Sequence, residues 1–168
     1  MTMSDDFEID KLAEQFRALG APDPRGWAES QVREGTPQLA RYLFLRQAWR
    51  KVVADDDPSW IARAIGASVD QPHAPYAGVG HALRRLKTLG ATDQDITDLV
   101  RGMQAELLFS LCYLLDDPSI EEPMGQGISW ALIQTNDDGE AIEALHSLHE
   151  DVLTTDPTGR EMRPHSDA

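Results

Sequence analysis

The sequence predicts an all-α fold: a single-domain, irregular bundle of about five to seven helices, with room for one small β-hairpin near 128–143. Three observations carry this. Apolar residues recur at helical spacing through most of the chain, helix-start chemistry precedes four of these stretches, and the 168 residues suit one domain of ordinary size. A mean hydropathy of -0.41 with 41% hydrophobic residues and four Trp excludes disorder and a fibrous chain.

The elements follow in order. Ser4, with Asp5, Asp6 and Glu8 behind it, caps a helix whose Ile9, Leu12, Phe16 and Leu19 share a face until Gly20 closes it. Pro22 and Pro24 break the chain before a short helical stretch at 27–32. Thr36-Pro37 supplies an N-cap and a first helical position for a helix carrying Leu39, Tyr42, Leu43, Trp49 and Val53, expected to run to about Ala54. Asp57-Pro58 repeats that chemistry before Trp60, Ile61, Ala64 and Ile65. The glycines and prolines of 66–80 predict a long internal loop, and Val79, Ala82, Leu83 and Leu86 then form a helix ended by Gly90.

Thr92 and Asp95 resemble a capping box and open the strongest helical pattern, 93–115. Its last part, 107–115, is apolar on every side except Ser110, which predicts a central helix surrounded by the others. Asp116-Asp117-Pro118 ends it. Residues 128–135 fit either a short strand or a helical turn, with Asp138-Gly139 able to turn a hairpin. Ala141, Leu145, Leu148 and Val152 favour a helix over 140–153, and a polar tail over 156–168 is expected to be irregular.

The charge is uneven along the chain. Fifteen Lys and Arg against twenty-nine Asp and Glu give -14, and the imbalance is C-terminal: 10 basic and 12 acidic residues lie in 1–84, 5 and 17 in 85–168. Between Arg101 and Arg160 there are twelve acids and no Lys or Arg. Direct nucleic-acid binding through this half is not expected, because phosphate affinity needs cations. A basic protein partner is expected, with Asp116, Asp117, Glu121 and Glu122 as the docking acids. They follow a helix end, where negative charge opposes the dipole and folding alone gives no reason for it.

No catalytic motif stands out. Cys112 is the single cysteine, which excludes a disulfide framework, fits a reducing compartment and, amid Leu111 and Tyr113, predicts an inert thiol. His146 and His149 beside Glu143 and Glu150 give a Glu-x-x-His spacing, but a second copy of that motif is missing, so no metal and no cofactor is expected. Asn136, Asp138 and Gly139 set in a calcium-loop frame put Gln134 first and Leu145 twelfth, without the acids that loop needs. Gly78 and Gly80 lack the third glycine of a dinucleotide fingerprint. The turn at Leu89–Thr92 has the rhythm of a helix-turn-helix, but Asp93, Asp95 and Asp98 would repel phosphate.

Two functional classes follow. The first is a non-enzymatic acidic interaction module, such as an inhibitor or an immunity-type protein, binding a basic protein. The second is a small enzyme or ligand binder with a pocket at His73, Tyr76 and His81. The acidic N-terminus lacks the features of a secretory signal and no apolar run reaches membrane-spanning length, so a cytoplasmic, membrane-free protein is expected.

Overall fold

A computed structural model describes residues 3–117, 125 and 127–165. Among the described residues, six helices, α1 (Met3–Leu19), α2 (Pro24–Glu34), α3 (Gln38–Trp49), α4 (Ser59–Asp70), α5 (Ala77–Thr88) and α6 (Asp93–Asp116), precede a hairpin of β1 (Leu132–Thr135) and β2 (Ala141–Leu145) and a 3-10 turn, Leu148–Asp151. The protein is therefore a mostly helical bundle with one small antiparallel hairpin, as its periodicity predicts. No described helix is long and apolar enough to cross a membrane. The chain divides into two compact units: 1–49 with 107–168, and 50–106.

In the first unit, α1, α2 and α3 enclose a core of Ile9, Ala13, Phe16, Ala28 and Tyr42. The rings of Phe16, Trp27 and Tyr42 meet edge to face, with centroids 5.0 to 5.9 Å apart, the arrangement that the ring quadrupole favours. Asp23 caps α2 by accepting from the Gly26 N–H at 3.0 Å, which makes that helix longer than the stretch at 27–32.

The C-terminal segment returns to α3 through polar ties. The Trp49 indole N–H donates to Val152 O at 3.0 Å and to Thr155 Oγ1 at 3.2 Å. Buried Arg41 places one Nη2 2.6 Å from Asp151 Oδ2 and donates to Ser147 O at 2.7 Å, while its Nη1 donates to Gln38 Oε1 at 2.9 Å. Burial pushes the Asp151 carboxyl above its ordinary range, and the Arg41 charge opposes that shift without cancelling it. The tail is organised by the buried Asp156 carboxylate, which accepts from the N–H groups of Thr158 and Met162 and from the Thr158 hydroxyl.

In the second unit, Ile61, Leu83 and Ile96 form the centre, flanked by Trp60, Ala64, Ile65 and Val100. The long loop expected at 66–80 shrinks to 71–76, because α4 runs through Gly66 to Asp70 and α5 already contains Gly78 and Gly80. Glycine serves packing here rather than a turn. A Cβ at Gly80 would lie 2.2 Å from Ala64 O and 2.5 Å from Ser68 Cβ, so only glycine lets α4 and α5 approach this closely. The α3 helix stops at Trp49 instead of Ala54, and both backbone groups of Val53 are bonded elsewhere. Its N–H donates to Gln104 Oε1 at 2.8 Å and its carbonyl accepts from buried Arg101 at 2.8 Å. Thr92 and Asp95 form the expected reciprocal cap of α6, and the bonds from Thr92 hold the Asp95 carboxyl below its usual range. In this part of α6, Leu99 and Met103 are exposed.

The helix expected over 140–153 is a strand followed by the 3-10 turn. Turn chemistry overrides the apolar spacing. Asn136 Oδ1 accepts from the N–H groups of Asp138 and Glu140, and Gly139 takes φ 81°, which closes the hairpin with Gln134 opposite Glu143 and a bulge next to Thr135. Three of the four residues behind the helical reading are nonetheless inside: Leu145, Leu148 and Val152 are buried, while Ala141 is exposed.

Candidate functional site

The C-terminal part of α6 departs most from expectation. Residues 107–115 include no charged side chain, yet only one side of the helix is covered. At about 100° per residue, Leu107, Leu111 and Leu114 fall within a narrow arc. All three are exposed, at 58%, 49% and 46%. Cys112 lies on the opposite side and is buried. The central helix predicted over 93–115, with 107–115 expected to be surrounded, is thus half-covered in that last part: the core takes the Cys112 side and leaves the leucine side to solvent. Beyond it, the Trp130 indole N–H donates to Leu114 O at 2.7 Å, satisfying a last-turn carbonyl and laying a 40% exposed ring at the end of the stripe.

On the flank of the same helix, His149 Nδ1 donates to Asp116 Oδ2 at 2.6 Å. The Phe109 and Tyr113 rings meet the imidazole edge on, at 5.8 and 5.0 Å. His149 therefore pairs with Asp116, and His146 is exposed. Burial, and then the Asp116 charge, push the Cys112 thiol up to about 11, so it stays protonated at neutral pH and is no nucleophile.

The four predicted docking acids separate. Asp116 is largely buried, its side chain 10% exposed and engaged by His149. Asp117 is exposed. Glu121 and Glu122 lie outside the described residues. Of the other acids in the segment free of Lys and Arg, Glu106, Asp137, Asp138, Glu140, Glu143 and Glu150 are exposed, whereas Asp151 and Asp156 are drawn into the fold. The feature that sequence reasoning missed is the exposed leucine stripe, because an all-round apolar helix signals burial without saying what buries it.

The second predicted site does not assemble. His73 is exposed, and His81 Nε2 bonds to Pro72 O at 3.1 Å. Tyr76, 90% exposed with a left-handed backbone (φ 69°), lines an open groove of about 530 Å³ between α4 and α5, and neither histidine reaches that groove. The other unit has an open groove of about 610 Å³ floored by Val32, Pro37, Leu39 and Leu43, with Glu8 and Glu143 as its charged rim.

Compared with known proteins, the chain matches no family model, no curated protein and no solved structure.

Proposed function

We propose that the chain is a non-enzymatic, acidic interaction module that docks a basic protein partner, in the manner of an inhibitor or an immunity-type protein. The reading rests on one observation. Of the ten described acids between Arg101 and Arg160, seven are solvent-exposed in a segment that offers no Lys or Arg to neutralise them. Mutual repulsion among them costs stability, and a basic partner would relieve it while being steered to the site from a distance. Direct nucleic-acid binding by this segment is disfavoured on the same grounds. A cytoplasmic setting suits the single buried thiol. The alternative, a ligand site at His73, Tyr76 and His81, draws only on the groove that Tyr76 lines.

The test is kinetic. Once a partner is recovered from the native source at low salt, its on-rate should fall as salt rises. It should also slow in an Asp117→Asn/Glu121→Gln/Glu122→Gln variant; Asp116 is left in place because His149 depends on it. An on-rate indifferent to both changes would remove the electrostatic reading.

A further inference from the structure

Building on that reading, we infer that the exposed leucine stripe of α6 is the seat for a basic amphipathic helix of the partner, with apolar residues at i, i+3 or i+4 and i+7 set between Lys and Arg. Leu107, Leu111 and Leu114 span two turns of one helix, about 10 Å at 1.5 Å per residue, and form a convex ridge. Such a ridge packs naturally between the side-chain rows of another helix. The half-exposed Trp130 ring extends the apolar surface at one end, held there by its bond to Leu114 O. Helices usually hide apolar surface of this kind. Here the covered side is the Cys112 side, so the stripe is surplus to the described fold.

Charge decides among possible occupants. Asp117, three residues past Leu114, and Glu150, next to the His149 that packs on Tyr113, are exposed acids, and no Lys or Arg lies between Arg101 and Arg160. A second copy would bring a net charge of -14 and the same acids to the seam. An anionic membrane surface would be repelled as well. A helix whose leucines are bordered by Lys and Arg satisfies both the apolar stripe and its acidic margin, by helix-on-helix packing. The leucines would supply the affinity and the acids the steering.

The test uses the whole chain and two synthetic Leu/Lys peptides of equal composition and about five turns in length, one patterned as an amphipathic helix and one scrambled. Binding is followed by fluorescence anisotropy of labelled peptide. The patterned peptide should bind about tenfold or more tightly than the scrambled one, and a Leu107→Ser/Leu111→Ser variant should lose about that factor while melting like the parent. Equal binding of both peptides, weakened by salt but not by the leucine substitutions, would overturn the helix seat and leave the acidic docking reading standing. No binding of either peptide at low salt would overturn both. A concentration-dependent dimer in sedimentation, abolished by the leucine substitutions, would assign the stripe to a second copy and overturn the inference.

Discussion

Phe16 and Leu111 sit in the same compact unit, and the residue on the less apolar of their two helices is the better buried. Helix α1 carries Asp, Glu, Lys and Arg around a single apolar face, and Phe16 on that face is fully enclosed. Residues 107–115 of α6 carry no charge at all, and half of that surface meets solvent. Apolar content thus measures how much surface a segment could bury, while burial depends on whether a complementary element exists. For α1 the complement is α2 and α3, whose Trp27 and Tyr42 close on Phe16. For the leucine stripe of α6 the described chain supplies none.

The largest effect should come from removing the side chain on which the enclosed region depends. Phe16→Ala deletes a fully buried ring and two of the three edge-to-face contacts, and we expect a loss of about 5 kcal/mol, the upper part of the range for such truncations. Urea unfolding measures it. A loss below about 1 kcal/mol would mean that this cluster is no better covered than the leucine stripe, and the contrast would fail.

A second experiment asks what fastens the C-terminal segment to α3. One of its ties is ionic: Arg41 faces Asp151, in a setting where burial already disfavours the carboxylate. Arg41→Met leaves that carboxylate without its cation and should cost about 3 kcal/mol at neutral pH. The sign of the pH dependence follows from the raised pKa. Asp151 contributes its full stability below the ordinary carboxylate value of 3.8 and loses it as pH rises through the higher folded value. Losing Arg41 widens that gap, so part of the cost should be recovered on acidification into the carboxylate range. A loss unchanged between neutral and acid pH would show that the carboxylate is not what suffers.

The contrast also explains how much was legible in advance. Helix starts were readable wherever a side chain caps locally: Thr92 with Asp95 behaves as its spacing predicts. Inward-facing residues were readable too, since Ile9, Phe16, Leu145, Leu148 and Val152 are all buried. Conformation was harder where two local signals compete. In 140–153, Asn136 and Gly139 turn a hairpin despite a helical apolar pattern, and Gly80 resembles a loop residue although it marks a close helix crossing. For the candidate site, the charge segregation was visible in composition. The pairing of Asp116 with His149, thirty-three positions apart, was not, because nothing local links those residues.

The smallest expected effect is the most diagnostic. An inward Leu111 would make Leu111→Asp ruinous, since an unpaired charge among apolar side chains costs several kcal/mol. With the side chain 49% exposed, the new carboxylate stays hydrated. What remains is the poorer helix propensity of Asp and a negative charge near the helix C-terminus, together about 1 kcal/mol. The adjacent substitution Cys112→Asp turns the charge into the covered side, where burial already holds the thiol protonated, and should unfold the unit. Thermal melts of the two variants therefore separate neighbouring positions by their side of one helix. If Leu111→Asp melts as early as Cys112→Asp, the leucine stripe is covered in the free protein, and no partner is needed to explain it.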